Sequence, residues 1–282
     1  MIGGGQWTEG EAFTVGLVQT LSKRSESLDY GLVIIDECHQ IPAQQAYEVV
    51  NSQAAKYRYG LSATPQRRDN LEMLIYASIG PVIAEVEAHE VQGAVLPVTV
   101  KAIKYPCAVN PESWTDFINQ LANDEGRSYL IAGYANKACQ QIGTVVLTST
   151  IAHAETLAIM VKEHYGIDAL LLHGQLPAKI RAERMARASQ AQLIIGTLSL
   201  LSEGIDWPHV GAIIFASPVS AVIDKENPAA TRLLQSIGRA RRPFEGKSKA
   251  YVLDIIDQHA FGESAWYKRS QIYKRQGFEV IK

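Results

Sequence analysis

Short runs of branched apolar residues alternate along the chain with longer stretches of helical composition, and this alternation restricts the possible folds more than any other feature. It is typical of α/β proteins, in which helices cover a parallel sheet. The run at residues 32–35 (LVII) is short, apolar and rich in β-branched side chains, so we expect a strand buried on both faces. Another strand should end near Ser62, and a third extended run covers residues 95–105.

The second half of the chain contains the more complete set of strands. Five strand-like runs, separated by helical stretches, lie there at residues 144–147, 169–172, 193–195, 212–215 and 250–253. These runs are enough for a whole parallel sheet. Residues 1–143 contain too few runs for a second one, so we expect a first domain that lacks its opening strands.

Two domains with a connection between them follow from this distribution. We expect the first domain at residues 1–105, a connection with its own helix at 106–143, and the second domain at 144–282. The chain has 282 residues, which is long enough for two domains of ordinary size. The predicted fold class is α/β.

Cysteine content and apolar run length indicate the compartment. The three cysteines, Cys38, Cys107 and Cys139, lie far apart, which argues against a disulfide framework or a zinc cluster and for a reducing compartment. No run approaches the roughly 18 apolar residues of a membrane span. The N-terminal residues lack the basic start and apolar core of a signal peptide. We therefore expect a cytoplasmic protein that makes no membrane contact.

Charge is distributed unevenly between the two halves, although the whole chain carries a net charge of only −2. Residues 1–143 have 10 basic and 16 acidic side chains, a net charge of −6, whereas residues 144–282 have 17 and 13, a net charge of +4. A basic second half favours contact with nucleic-acid phosphates. Ordinary variation in surface charge is the alternative.

The first candidate site is the tetrapeptide Asp36-Glu37-Cys38-His39, directly after the run LVII. Open α/β sheets bind their ligands at the carboxyl ends of the strands. There, Asp36 is placed to hold Mg²⁺ through water, and Glu37 is placed to polarise an attacking water. His39 could relay between a bound nucleotide and the neighbouring domain. The alternative is an ordinary polar turn after a strand.

A second strand is followed by the residues LSATP, at positions 61–65. The small hydroxyl side chains of Ser62 and Thr64 can form hydrogen bonds back to the carboxylates of the previous loop. Taken alone, the sequence is typical of a turn that ends in proline.

Two further segments lie in the second half. In residues 197–208 (TLSLLSEGIDWP), Thr197 can donate to a nucleic-acid phosphate, Gly204 permits a tight turn, and Asp206 can accept from a ribose hydroxyl or hold an arginine. In residues 235–242 (QSIGRARR), the helical spacing of Gln235, Arg239 and Arg242 puts them on one face. Arginines in such a place suit bidentate contact with a γ-phosphate. The alternative is a charged helix end.

The order of these segments is more specific than any one of them. The sequence DECH is followed by SATP, by TST at residues 148–150, by the loop with Gly204 and by QSIGRARR. In this order they resemble motifs II to VI of superfamily 2 helicases, and together they span nearly the whole chain. The phrases IIDECHQIPA, YRYGLSATPQRRDN and QSIGRARRPFEGK are most similar to the DNA-repair and phage recombination branch.

The resemblance implies two RecA-like domains of the phosphate-loop NTPase type, which bind ATP and Mg²⁺ between them and DNA across them. It also implies an ATP-dependent DNA helicase or translocase. Carried over position by position, the roles are Mg²⁺ binding by Asp36, water activation by Glu37, nucleotide contact by His39, Gly204, Asp206, Gln235, Arg239 and Arg242, coupling by Ser62 and Thr64, and DNA-phosphate contact by Thr148, Ser149 and Thr197.

One departure from the family is large, because the phosphate loop G-x-x-x-x-G-K-[ST] does not occur in the sequence. The glycines at residues 3–5 are not followed by Lys-Ser or Lys-Thr. The sequence GKS at residues 246–248 would need glycine at position 241, which is Arg241, and we predict a turn there. Since the loop and its lysine hold the β- and γ-phosphates, we expect the isolated chain to hydrolyse ATP negligibly and its first half to be poorly stable.

Three functions follow from this combination. The first is a fragment of an ATP-dependent DNA helicase or translocase that lacks an N-terminal segment. The second is a non-catalytic module that binds nucleic acid, or that pairs with a subunit supplying the phosphate loop. The third is the motor part of a restriction or defence system, which shares these motifs.

Overall fold

The computed structural model describes residues 1–24, 28–62, 71–86, 95–201, 207–219 and 228–282. The chain forms two compact units, Met1–Val86 (unit 1) and Glu87–Lys282 (unit 2). The sheets are parallel apart from one short hairpin, with helices packed on them, so the predicted α/β class is confirmed. None of the described helices is both long and apolar enough to span a membrane.

Unit 1 contains a short antiparallel hairpin and a parallel pair of strands. Its elements are β1 (Ile2–Gly3), β2 (Gln6–Trp7), α1 (Val18–Leu21), β3 (Leu32–Ile35), a 3₁₀ helix (Cys38–Gln40), α2 (Gln44–Ser52), β4 (Tyr57–Gly60) and α3 (Glu72–Ile79). The core is small and is formed by Cys38, Ile41, Val50 and Ile75, with Ile35 and Ile79 packed against it.

The β3–β4 pair of unit 1 is half-buried on one face and exposed on the other. In its register, Leu32 lies opposite Tyr57 and Ile34 lies opposite Tyr59, and all four side chains are exposed. The expectation that residues 32–35 are buried on both faces is therefore wrong for this structure. The reason is that the described helices α2 and α3 pack on the face of Ile35 alone.

Unit 2 is built on a seven-stranded sheet in which every pairing is parallel, with the order β11-β5-β10-β9-β6-β8-β7. Its elements are β5 (Val98–Tyr105), α4 (Trp114–Ala122), α5 (Glu125–Cys139), β6 (Gly143–Thr148), α6 (Ile151–Tyr165), β7 (Leu170–Leu172), α7 (Ala178–Arg187), a 3₁₀ helix (Ala188–Gln190), β8 (Leu193–Thr197), α8 (Leu198–Leu201), β9 (Val210–Phe215), α9 (Pro228–Ala240), β10 (Ala250–Asp257), α10 (Ala260–Arg275) and β11 (Glu279–Ile281).

Helices cover both faces of this sheet. The strand β9 shows the arrangement, since Ile213 and Phe215 belong to the core under α9 and α10, while Ile214 belongs to the core under α5 and α6. Every residue of β9 is buried. A parallel sheet buried on both faces has the continuous apolar strands that the sequence shows.

Local signals set several helix ends in unit 2. The side chains of Ser113, Asp124 and Thr150 each accept a hydrogen bond from a backbone N–H in the first turn of α4, α5 and α6. Gly166, at φ 68°, ends α6 in the left-handed region that favours glycine. Serine, aspartate and threonine are among the residues preferred at helix N-caps.

The division between the units differs from the expected one at residue 105. The strand β5, assigned from sequence to the first domain, pairs with β10 along its whole length, from Val98 opposite Ala250 to Tyr105 opposite Asp257. The helices α4 and α5, expected in a connection, also lie in unit 2. The composition of a strand predicts that it is extended, but it does not predict which strand it pairs with. The strand β5 was therefore assigned to the first domain only because of its place along the chain.

Candidate functional site

Two loops that follow neighbouring strands of unit 1 are joined through their backbones. The N–H of Leu61 donates to the Ile35 carbonyl at 2.8 Å, and the N–H of Cys38 donates to the Leu61 carbonyl at 2.9 Å. The approach is close enough that a Cβ atom on Gly60 would lie 2.8 Å from Cys38 Sγ and 2.2 Å from Ile79 Cδ1. Glycine at position 60 therefore permits the contact.

Ser62 and His39 connect the same loops through side chains. The Nδ1 atom of His39 lies 3.1 Å from Ser62 Oγ and 3.2 Å from Glu37 Oε2. The structure thus gives Ser62 a partner in the DECH loop, and that partner is the imidazole. Thr64, the other predicted coupling residue, lies outside the described residues.

Glu37 has an unusual backbone conformation. Its φ of 50° and ψ of 46° lie in the left-handed region, and no other non-glycine residue of the described chain has a positive φ. Such a conformation costs roughly 1–3 kcal/mol and persists where the surrounding contacts fix it, which is common at functional sites. The Glu37 N–H donates to Asp36 Oδ1 at 2.9 Å, and the Glu37 side chain is 41% exposed.

Asp36 and Glu37 fit the way in which Mg²⁺ is usually held by nucleotide-binding proteins. Mg²⁺ keeps most of its waters and takes one or two carboxylates together with substrate phosphates, and it does not need a cage of protein ligands. Among the described residues there is no group of three or more His, Cys, Asp or Glu side chains that could hold a metal ion. The two adjacent carboxylates suit a cation shared with a phosphate.

The predicted phosphate-contact residues of unit 2 lie at the carboxyl ends of two paired strands. Thr148 of β6 lies opposite Thr197 of β8. Both side chains are buried, and the Thr148 hydroxyl donates to the Thr150 carbonyl at 2.8 Å. Ser149 is exposed, and its N–H donates to Ser217 Oγ at 2.9 Å. Of the three predicted contacts, Ser149 is therefore the one that a phosphate can reach in this structure.

The helix α9 carries two of the three nucleotide residues that were predicted within residues 235–242. Gln235 and Arg239 are half-buried on the helix, whereas Arg242 lies beyond its end at Ala240 and is exposed. The expectation that all three share a helix face is wrong for Arg242. The reason is Pro243, because a residue that precedes proline is disfavoured in helical conformation.

Lys247 has a role that the sequence did not indicate. Its ammonium donates to the carbonyls of Pro208 and Val210, at 2.8 Å each, and burial lowers the pKa of Lys247 to about 8. The predicted turn is present, with Gly246 at φ 77°. The lysine thus holds the segment that follows Gly204 and Asp206, two predicted site residues that lie outside the described part of the chain. A lysine in a polar turn gives no sequence signal of such a contact.

Two protein families match separate parts of the chain. Residues 129–243 match the family described as helicase conserved C-terminal domain, and residues 6–67 match the family described as type III restriction enzyme, res subunit. The first match covers the segments with Thr148, Thr197 and Arg239. The second covers the loops with Asp36 and Ser62.

Three similar curated proteins are viral and are named as helicases. A protein of Sulfolobus islandicus filamentous virus is 27% identical over 81% of this chain and 43% of its own length. A protein of Escherichia phage T5 is 23% identical over 100% of this chain and 61% of its own. One of Acanthamoeba polyphaga mimivirus, named as an ATP-dependent RNA helicase, is 24% identical over 96% of this chain and 52% of its own. The chain spans about half the length of these relatives.

Solved helicase and restriction structures share the fold. Phage T4 UvsW has a TM-score of 0.51 at 21% identity and covers 94% of this chain, which spans 56% of UvsW. An HsdR fragment of a type I restriction enzyme from Vibrio vulnificus has a TM-score of 0.63 at 19% identity, covering 89% of this chain and 47% of the fragment. Dbp5 of S. cerevisiae, bound to RNA and ADP BeF3, has a TM-score of 0.62 at 15% identity, covering 95% of this chain and 64% of Dbp5. These likenesses concern the RecA-like fold.

Proposed function

Because the family matches and the structural neighbours support a superfamily 2 helicase, we propose that this chain is part of an ATP-dependent motor that moves on DNA. The proposed nucleotide-handling residues are Asp36 and Glu37 of unit 1 and Gln235, Arg239 and Arg242 of unit 2. The observation that carries the proposal is the joined pair of loops in unit 1, in which Glu37 is held in a left-handed conformation beside His39 and Ser62.

The carboxylates divide the chemistry between them. Mg²⁺, when bound with ATP, neutralises charge that develops on the phosphates. Asp36 would hold this ion through water, while Glu37 would orient the attacking water and accept its proton. Glu37 suits this role because its side chain is accessible and its backbone is fixed by hydrogen bonds on both sides of the turn.

His39 would report the state of the nucleotide to the second loop. It contacts both Glu37 Oε2 and Ser62 Oγ through one nitrogen, Nδ1. A proton on Nδ1 can be donated to only one of these acceptors in good geometry at a time. A change in the charge of Glu37 during hydrolysis would therefore alter the His39–Ser62 contact.

Arginine side chains of unit 2 would bind the phosphates. Arg239 and Arg242 suit bidentate contact with a γ-phosphate, and Gln235 lies one turn before Arg239 on α9. DNA is the proposed track, supported by the net charge of +4 in the second half and by the exposed Ser149. The described cysteines are free, which agrees with a cytoplasmic motor.

A second candidate function is a non-catalytic module. In this case the chain binds nucleic acid and pairs with a polypeptide that supplies the loop, and it does not hydrolyse ATP alone. The match of residues 6–67 to a restriction-enzyme family supports a third, the motor of a restriction or defence system. The three differ in what must be added before ATP is hydrolysed.

The test compares the chain alone with an in-frame fusion to an N-terminal segment that carries a phosphate loop. We expect the chain alone to bind single-stranded DNA, more weakly as salt is raised, and to hydrolyse ATP no faster than buffer. We expect the fusion to hydrolyse ATP when DNA is present, and Glu37→Gln and Arg239→Ala to lower its rate by roughly 10²-fold or more.

One result would contradict the expected inactivity of the chain alone, and two would count against the motor. Robust DNA-stimulated hydrolysis by the chain alone would show that the phosphate loop is not required. A folded, DNA-binding fusion whose rate is unchanged by Glu37→Gln would remove Glu37 from the site. A fusion that binds DNA but never hydrolyses ATP would favour the non-catalytic module. RNA of the same length, used as the competing track, tests the preference for DNA.

A further inference from the structure

Unit 2 contains two aspartates that lie three residues apart on β10. Since side chains alternate along a strand, Asp254 and Asp257 point to opposite faces of the sheet. Both are buried, at 1% and 0% exposure, and each is bound by a fully buried arginine from the helices on its own face. The arginines are Arg269 of α10 and Arg127 of α5.

Both pairs have the two-pronged geometry of strong ion pairs. Arg127 donates from Nε to Asp257 Oδ1 at 2.7 Å and from Nη2 to Oδ2 at 3.1 Å. Arg269 donates from Nε and Nη2 to the two carboxylate oxygens of Asp254, at 2.8 Å each, and the Tyr273 hydroxyl donates to Asp254 Oδ2 at 2.7 Å. Every carboxylate oxygen has a partner.

The remaining Nη1 group of each arginine reaches the same short stretch of backbone. Arg127 donates to the carbonyl of Ala216, and Arg269 donates to the carbonyl of Val219 at 2.9 Å. Residues 216–219 follow β9 directly, and we call them the post-β9 segment. Between these two contacts, Ser217 Oγ accepts the N–H of Ser149 at 2.9 Å.

Stability alone is a weak explanation for this arrangement. A buried ion pair contributes little compared with apolar side chains of the same size, because the charges lose their water. Two bidentate arginines on opposite faces instead fix the position of the backbone that they hold. The post-β9 segment is hydrogen-bonded to Ser149.

We propose that Arg127 and Arg269 are positioning residues that clamp the post-β9 segment from both faces of the sheet, and so fix the backbone of Ser149 relative to β9 and β10. The clamp rests on the proposed function for the role of Ser149. It does not depend on that function for its effect on the backbone. Both effects are measurable on the full chain.

The test replaces each ion pair by apolar residues, so that no unpaired charge is left buried. The variants are Arg127→Met with Asp257→Leu, and Arg269→Met with Asp254→Leu. We expect thermal unfolding midpoints within about 5 °C of the parent protein, while amide exchange at Ala216, Ser217 and Val219 rises by about tenfold or more. A matched control replaces Lys162 and Asp168, an exposed pair with a 3.2 Å contact, by Met and Leu.

Conservative variants separate positioning from folding. Arg127→Lys and Arg269→Lys keep the charge but lose the fork, so we expect exchange in the post-β9 segment to rise in these variants as well. They also serve if a double variant does not fold. Affinity for single-stranded DNA should fall in the variants that lose exchange protection. Ser217→Ala should lower both the DNA affinity and the exchange protection.

The outcomes are distinct. Unchanged exchange in the post-β9 segment of the folded double variants, or of both lysine variants, would overturn the clamp. Raised exchange in a chain that never binds DNA would uphold the clamp and count against the proposed function. Raised exchange throughout unit 2, with the same increase in the Lys162 and Asp168 control, would show general loosening and would also overturn it.

Discussion

The strands β3 in unit 1 and β8 in unit 2 have similar sequences and opposite environments. β3 reads LVII and β8 reads LIIGT. In β3, Leu32 and Ile34 are exposed at 46% and 59%, whereas every residue of β8 is buried. β3 pairs with β4 alone among the described strands, while β8 lies between β6 and β7.

The contrast shows that an apolar strand is buried by its neighbours and not by its own composition. Unit 2 supplies helices on both faces of its sheet, so that the strands from β5 to β10 all contribute to the core. Full burial of an isoleucine is worth roughly 1.5–3 kcal/mol over leaving it exposed. The free energy of folding per residue should therefore be greater in unit 2 than in unit 1.

The largest effect should come from truncating the same residue type in the two strands. Ile195→Ala in β8 removes a fully buried side chain and should lower the free energy of unfolding by about 2–5 kcal/mol. Ile34→Ala in β3 should change it by about 0.5 kcal/mol or less. Urea unfolding followed by circular dichroism measures both. Equal losses of unfolding free energy in the two variants would contradict the proposed difference in burial between β3 and β8.

Acid should destabilise unit 2 through His153 of α6. This residue is 1% exposed, and burial, with a smaller effect from Arg127, lowers its pKa from 6.5 to about 4. Between these values the unfolded chain binds the proton more readily, so stability falls as pH is lowered through this window. The loss should reach roughly 3 kcal/mol at pH 4. His153→Gln should flatten the pH dependence, and His164→Gln, on the exposed side of the same helix, serves as the control.

A substitution in unit 1 tests how closely its two loops are packed. Gly60→Ala would place a methyl group against Cys38 and Ile79, and overpacking of this kind costs about 1–3 kcal/mol. Gly31→Ala, in the same unit, has nothing within 4 Å and should be nearly neutral. Amide exchange of Cys38 and Leu61 measures the effect at the loops. If amide exchange were unaltered in Gly60→Ala, unit 1 would accommodate the added methyl group without loss of stability.

The smallest effect tests where unit 2 begins. Ser113 caps α4 by accepting from the Asp116 N–H at 3.2 Å, and Phe117 of the same helix is fully buried. Ser113→Ala should lower the free energy of unfolding of unit 2 by about 1 kcal/mol. Were α4 part of a loose connection, the substitution would leave that free energy unchanged.

Much of the fold followed from local pattern. The five strands expected after residue 143 are all present, because short β-branched runs between helical stretches have few other solutions. The position of β5 did not follow, because its partner β10 lies about 150 residues further along the chain. The exposed face of β3 could not be predicted either, because the sequence of a strand does not indicate which helices pack on it.

The candidate site likewise contains residues that could be predicted from the sequence and residues that could not. The loops with Asp36 and Ser62 could be located from motif order, and the structure joins them. The end of α9 before Arg242 could have been found from Pro243 alone. The contacts of Lys247 and Arg127 could not, because Arg127 and Asp257 are 130 residues apart and nothing local distinguishes either of them from a surface charge.

The strand order β11-β5-β10 also determines how unit 2 responds to mechanical load. The first and last strands of the unit lie side by side and parallel, with Thr99 opposite Glu279 and Lys101 opposite Ile281. A pull on the chain before β5 and after β11 draws these two strands past each other along their length. The hydrogen bonds between them then share the force and do not open one by one. Tension carried along the chain through unit 2 would thus meet its resistance first at the outer edge of the sheet.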